Sequence, residues 1–291
     1  MTKIDGLKKD LTTMRNLEAL TNMLEQTAAR SISQMRENIL NSRAFFSEVW
    51  RIYGILKQLT PPAPEVVHKH LVVGVGVDWG MPGNLLHKLI DETERIQKQH
   101  EADLLIAGKM AHGHFRGKNQ QTIHFFSSPK DPTLADIQPI YKVVASYAKV
   151  TIVYPRFESL SRQPIQTASF SLNESAEETD ARQEEQVGSS RLVNTIDADR
   201  FIIDPDPQSI SNYLNEAVVG LTVHHYFAEA ALAYSAAQMV AMRNSHDNAK
   251  QESKKLQVKY NSARRAVIDS KIRELYGTRA ATKLKKKVLD S

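Results

Sequence analysis

The sequence contains no cysteine among its 291 residues. Disulfides, thiol catalysis and cysteine-based zinc sites are therefore excluded, and a cytoplasmic location fits without being required. No run of 18 or more apolar residues occurs, so no segment is predicted to span a membrane. The N-terminal stretch MTKIDGLKKDLTTMRN lacks the apolar core of a signal peptide and carries acidic residues early, which argues against secretion or organelle import.

Motifs of catalysis and nucleotide binding are also missing. The glycines of GVGVDWGMPG (74–83) fit neither GxGxxG nor GxxxxGK[ST], so we interpret them as turn glycines. The histidine groups HKH (68–70), HGH (112–114) and HH (224–225) have no further ligand at a metal-site spacing, and HExxH is absent. No Gly-x-Ser-x-Gly elbow occurs. We therefore expect no catalytic residue, no cofactor and no metal in this chain.

Proline and glycine are scarce at both ends of the chain, which predicts two long helices. Before the PPAPE run at 61–65, the first segment holds no proline and only Gly6 and Gly54. From Asp206 to Tyr276, following DPDP, the only glycine is Gly220. Apolar or small residues recur in both segments at steps of three and four, the spacing of a coiled coil. They are Ile4, Leu7, Leu11, Met14, Leu24, Ala28, Ile32, Met35 and Ile39, then Met239, Met242, His246, Ala249, Ser253, Leu256, Tyr260, Ala263 and Val267.

The middle of the chain predicts a small α/β domain, because short β-branched runs alternate with helical patterns. The expected strands lie at 70–78, 102–108, 121–127, 149–155, 164–172 and 200–204, and the expected helices at 84–99 and 133–148. The fold class is therefore α/β: a long antiparallel coiled coil of N- and C-terminal helices with an inserted Rossmann-like α/β domain. The predicted domains are the N-terminal helix 1–60, the α/β domain 61–205, the C-terminal helix 206–281 and a basic tail 282–291.

Charge is unevenly distributed along the chain, whose net charge is +5. Residues 234–291 hold 14 Lys and Arg against 5 Asp and Glu, whereas ESAEETDARQEEQ (174–186) is nearly all acidic and polar and predicts a mobile loop. A basic end suits nucleic acid, an anionic membrane surface, an acidic protein or simply solvent. Two alternatives thus stay open: a coiled-coil nucleic-acid-binding or adaptor protein, and an α/β nucleotide-binding enzyme with helical arms.

The segment AAQMVAMRNSHDNAKQESKKLQVKYNSARRAVIDSKIREL (236–275) resembles the gamma subunit of rotary F-type ATP synthases. It looks like that family's Met-x-Ala-Met-x-Ala-Thr-x-Asn-Ala run, followed by Leu-x-Tyr-Asn-x-x-Arg-Gln-Ala-x-Ile-Thr-x-Glu-Ile. DPDP (204–207) resembles Glu-Pro-Asp-Pro, and LVVGVGVDWGMPGNL (71–85) stands where the family has a strand and Asp-Arg-Gly-Leu-Cys-Gly-Gly-Leu-Asn. The similarity covers 1–281. The residues in register are Met239, Met242, Asp247, Asn248, Leu256, Tyr260, Asn261, Arg264, Ala266, Ile268 and Ile272.

The resemblance implies a non-catalytic central-stalk rotor, peripheral to the cytoplasmic face of a bacterial plasma membrane. Such a rotor couples ion-driven rotation of the membrane c-ring to ATP synthesis or hydrolysis in the alpha/beta hexamer. The implied partners are the alpha, beta and epsilon subunits (delta in mitochondrial naming) and the c-ring, with no nucleic acid.

The resemblance also implies which residues contact the catch loops of beta, and several differ from the family. Asn22 and Leu24 replace Lys and Met, Trp79 replaces Arg, and Arg265 and Asp269 replace Gln and Thr, whereas Arg264 is retained. A divergent gamma subunit with altered polar contacts is expected. The basic tail 282–291 extends beyond the usual family end.

Overall fold

The computed structural model describes residues 3–59, 67–116, 123–171 and 207–289. Two compact units divide the chain: one combines Met1–Gln26 with Ala241–Ser291, and the other is Thr27–Val240. The elements are α1 (Lys3–Leu59), β1 (Val67–Val75), α2 (Leu85–His100), β2 (Asp103–Ala107), α3 (Lys109–Phe115), β3 (Ile123–Phe126), α4 (Leu134–Val144), β4 (Tyr147–Pro155), β5 (Ile165–Ser171) and α5 (Pro207–Leu289).

The five strands form one sheet in the order β3-β2-β1-β4-β5. Neighbouring strands are parallel except for the β4–β5 pair, which is antiparallel. In the central strand β1, Val72 lies opposite Leu104 of β2 and Thr151 of β4. The residues of β2 are buried throughout, as expected for a parallel sheet covered on both faces. The mixed α/β fold with helical ends, predicted from the sequence, is confirmed.

Local sequence signals explain where the sheet's helices begin and end. Helix α4 begins with a capping box, because Thr133 and Asp136 exchange hydrogen bonds between side chain and backbone, and it continues through Pro139 as predicted. Helix α2 ends at Glu101, which is left-handed with φ 48°. Helix α3 was not predicted, since seven residues with an internal Gly113 show no helical period.

The glycines between β1 and α2 serve two purposes, which corrects the interpretation of all of them as turn residues. Gly80 and Gly83 do form turns with positive φ, at 76° and 61°. Gly74, by contrast, lies within β1, and a Cβ there would approach the Ile106 side chain to 2.9 Å. Gly76 is similarly close to the backbone of Ala107, at 2.7 Å. These two glycines permit close packing.

The first part of α5 completes the core of Thr27–Val240. Tyr234 is fully buried, and its hydroxyl donates to the carbonyl oxygen of Val75 at 3.1 Å. Burial raises the pKa of Tyr234 well above its ordinary value, so the hydroxyl remains a donor. Helix α1 joins α5 in a smaller cluster. Its buried members are Ile32, Ile39, Phe157, Leu232, Ala233 and Ala236.

Some predictions fall outside the described residues, namely the strand at 200–204 and the acidic loop at 174–186. The predicted second helix is longer than expected, because α5 continues through the basic tail to Leu289. The domain boundaries drawn from the sequence stay predictions.

Candidate functional site

Helices α1 and α5 run antiparallel in the unit formed by Met1–Gln26 and Ala241–Ser291. Arg15 Nη2 donates to Gln257 Oε1 at 2.7 Å, and His246 Nδ1 lies 3.1 Å from the carbonyl oxygen of Glu18. Residue numbers rise along one helix as they fall along the other. The seam, by which we mean the buried residues between the two helices, consists mostly of residues with short side chains, and these let two helices approach closely. The buried residues are Leu11, Thr21, Met242, Ala249 and Ser253.

The predicted seam of α5 ends before Val267, which is a correction to the sequence prediction. Tyr260 and Ala263 are half-buried, but Val267 is 42% exposed. The register supplies the reason, because α1 begins at Lys3. Counted along the antiparallel pair, the Arg15–Gln257 contact sets Lys3 level with Asp269, and the Glu18–His246 contact sets it level with Asn261. Helix α1 therefore runs out between these two levels, while α5 continues.

Beyond that point α5 exposes an apolar stripe that sequence reasoning did not identify. We call it the terminal stripe; its spacing of i, i+4, i+7 and i+8 places its members along one side of the helix. That spacing was visible in the sequence, but the sequence does not show that α1 leaves these residues uncovered. The terminal stripe consists of Ile268 (44% exposed), Ile272 (46%), Leu275 (64%) and Tyr276 (70%).

Arg264, Arg265 and Asp269 are all exposed on α5. Arg265 and Asp269 line one shallow groove, as the i,i+4 spacing allows, whereas Arg264 is not part of its lining. The groove thus presents a cation and a carboxylate side by side. Its other lining residues are Val258, Asn261, Ser262 and Ala266.

Asn22 and Leu24 lie on α1 in the same unit as the three α5 residues. Asn22 is exposed, and its Oδ1 accepts a hydrogen bond from Gln26 Nε2 at 3.5 Å. Leu24 is half-buried. Among the described residues, neither side chain forms a hydrogen bond or ion pair with the residues that line the α5 groove.

Trp79 belongs to the other unit, in the loop between β1 and α2. Its ring is half-buried against the sheet core, and Lys130 Nζ lies 5.3 Å from the ring centroid, within range of a cation–π contact. The indole Nε1 is buried without a hydrogen-bond partner among the described residues.

The histidines of the sheet domain make local contacts. His70 Nε2 lies 2.9 Å from Thr151 Oγ1, and the His70 and His100 rings are 4.8 Å apart. Burial, aided by the nearby His100 and Lys149, lowers the pKa of His70 to about 4. Across the described ranges, no group of three or more His, Asp or Glu side chains is placed to hold a metal ion.

None of the described helices combines the length and the apolar character needed to cross a membrane.

Comparison with known proteins extends over nearly the whole chain. A family model described as ATP synthase matches residues 3–282. The ATP synthase gamma chain of Stenotrophomonas maltophilia is 26% identical over 295 residues, covering 94% of this chain and 98% of that one. The ATP synthase gamma chain of Dehalococcoides mccartyi is 23% identical over 307 residues, covering 97% and 99%.

Solved structures show the same fold at lower identity. A chain in the Euglena gracilis mitochondrial ATP synthase structure of OSCP, F1 and c-ring has a TM-score of 0.63 at 15% identity, covering 97% of this chain and 96% of that one. A chain in the Tetrahymena thermophila mitochondrial ATP synthase structure of the central stalk and c-ring has a TM-score of 0.56 at 15% identity, covering 77% and 98%. The chain therefore belongs to the ATP synthase family, as a divergent member of its gamma chains.

Proposed function

We propose that this chain is the central-stalk rotor of an F-type ATP synthase and couples rotation to ATP synthesis or hydrolysis. The observation that carries the proposal is the end of α5, where a single helix continues past the start of α1 and exposes the terminal stripe. Apolar residues left uncovered in this way favour a protein contact. The gamma-chain relatives, matched over nearly their full length, support the same role.

In this proposal the α5 end contacts the alpha/beta hexamer, and the epsilon subunit and c-ring are further partners. The chain lies at the cytoplasmic face of a bacterial membrane without crossing it. Rotation acts by biasing the conformations of each nucleotide site differently as the rotor turns. Asn22, Leu24, Trp79, Arg264, Arg265 and Asp269 are proposed contacts with the catch loops of beta.

Co-purification tests the proposal directly. The tagged full-length chain, co-expressed with alpha and beta subunits, is expected to retain a complex of both. Failure to retain them would overturn the proposed function. Micromolar ATP binding by the isolated chain would instead favour a nucleotide-binding enzyme, and tight, steeply salt-dependent DNA binding would favour a nucleic-acid-binding protein.

Substitution of Arg264 and Arg265 by Ala is expected to weaken coupling or assembly more than folding, because both side chains are exposed. ATP-driven rotation and torque of the reconstituted complex measure coupling, and urea unfolding of the isolated chain measures stability. Replacing Lys254 and Lys259 by Ala is the control, since it removes the same charge from exposed positions of α5. Unchanged rotation and torque in the arginine variant would contradict these contacts.

A further inference from the structure

One carboxylate joins the segments that follow three neighbouring parallel strands. Asp78, in the loop after β1, accepts hydrogen bonds from the backbone N–H of Lys109, the hydroxyl of Ser127 and the backbone N–H of Ser128, the last at 3.0 Å. Lys109 follows β2, and the two serines follow β3. Both carboxylate oxygens are used, and an ionised carboxylate is a pure acceptor that suits three donors.

The backbone beside Asp78 is closely packed. Gly76 N–H donates to the carbonyl oxygen of Ala107, and Gly108 N–H donates to that of Phe126, both at 2.9 Å. Gly108 has φ 98°, and a Cβ on it would lie 2.4 Å from the Val77 nitrogen. The segment that enters the loop is therefore fixed up to Asp78.

The residue after Asp78 is Trp79, and the residue after Trp79 is a turn glycine. Gly80 has φ 76°, a left-handed conformation that other residues rarely adopt, and it lies beside the side-chain amide of the buried Gln238. Met81, next in the loop, is 56% exposed. Trp79 thus lies between the carboxylate bonds of Asp78 and the left-handed turn at Gly80.

We propose that Asp78 is a positioning residue, which holds Trp79 in the orientation that it presents to the beta subunit. The Asp78 bonds belong to the isolated chain, and only the partner contact of Trp79 rests on the proposed function. The two parts of the inference are therefore tested separately.

The first test uses amide hydrogen exchange of the full-length chain. Asp78→Asn replaces one of the two acceptor oxygens by an NH₂ donor, so whichever way the amide turns, the backbone N–H of Lys109 or that of Ser128 loses its acceptor. Exchange in the 76–84 segment and at Lys109 or Ser128 is expected to accelerate about tenfold, the equivalent of one charge-assisted hydrogen bond in the local opening equilibrium. Asp131→Asn is the control, because Asp131 is an exposed carboxylate close to Ser128 in the sequence. This variant should leave these rates unchanged. Equal rates in wild type and Asp78→Asn would overturn the inference.

The second test asks whether Asp78 acts through Trp79 in the reconstituted complex. Asp78→Asn and Trp79→Ala are each expected to lower the ratio of ion pumping to ATP hydrolysis, and the double variant should lower it no further than Trp79→Ala alone. If the double variant instead lowers the ratio by the product of the two single losses, Asp78 acts independently of the Trp79 ring, as a general effect on folding would. That result would overturn the positioning role. If the chain does not assemble with alpha and beta at all, the proposed function fails while the exchange result for the isolated chain still stands.

Discussion

At the scale of single residues, the described histidines show what sequence alone left undecided. HKH at 68–70 has no further ligand at a metal-site spacing, so we expected ordinary surface or core histidines, and the fold decides how His70 is used. Strand pairing places His70 opposite Lys149 with its side chain within hydrogen-bonding distance of Thr151, and the end of α2 brings His100 to its ring. These neighbours come from distant positions in the chain, so no local pattern could have named them.

The lowered pKa of His70 predicts a specific loss of stability in mild acid. The folded-state pKa is about 4, below the ordinary 6.5, so the unfolded chain binds more protons between these values. The contribution of His70 to the free energy of unfolding therefore falls as the pH drops from 6.5 toward 4. His70→Gln should flatten this part of the profile in urea unfolding series. His87→Gln, at an exposed position of α2, is the control and should keep the wild-type shape.

The contribution of Asp78 to the free energy of unfolding also falls on acidification, but at lower pH than the contribution of His70. Partial burial works to raise its pKa, but the bonds from Ser127, Lys109 and Ser128 outweigh burial and hold the pKa below its usual value. The stability that Asp78 contributes is present above the unfolded-state pKa and is lost as the pH falls through the folded-state value. The two groups therefore affect different parts of an acid titration.

At the scale of elements, the helices and strands were largely predictable from the sequence, whereas their partners were not. Scarcity of proline and glycine marked α1 and α5, and β-branched runs marked β1 to β5. The three-four spacing also identified the seam of α5 as far as Ala263. What it could not supply was the register of α1 against α5, and this register decides that Val267 is exposed.

Two glycines with opposite environments predict opposite effects on stability. Gly220 lies inside α5 with nothing near its missing Cβ, so Gly220→Ala should stabilise the chain by about 0.5–1 kcal/mol. Gly108→Ala combines a left-handed φ with overlap against the Val77 backbone, and should destabilise by about 2–4 kcal/mol. Urea unfolding of both variants is the measurement. A stable Gly108→Ala chain would show that the turn after β2 adjusts freely.

At the scale of the whole molecule, the alternation of strand and helix patterns predicted the fold class, and the residue-level resemblance predicted the family. The positions of the proposed contact residues relative to one another could be predicted from the sequence only in part. Arg265 and Asp269 share a groove, as their spacing allowed, but Trp79 belongs to the other unit and is held by residues far away in sequence. The terminal stripe depends on where one helix stops beside another, which is a property of the assembled chain.

Substitution in the terminal stripe should separate folding from assembly. Ile272→Gln replaces a 46% exposed side chain, so the free energy of unfolding should change by less than about 0.5 kcal/mol. Binding to the alpha/beta hexamer should weaken by about 1–2 kcal/mol, because part of an isoleucine no longer buries apolar surface. Val267→Gln is the control, because Val267 is about as exposed as Ile272 but lies about 140° away from it around the helix. This variant should bind normally. Equal weakening by both variants would argue against a contact confined to the stripe.

The division of the molecule into two units has a mechanical consequence. The chain passes between the units twice, once within α1 between Gln26 and Thr27 and once within α5 between Val240 and Ala241. Both passages lie inside unbroken helices, whose backbone hydrogen bonds run nearly along the axis. In the proposed rotor, any torque carried by the covalent chain from one unit to the other therefore passes through two helices, one from each end of the sequence.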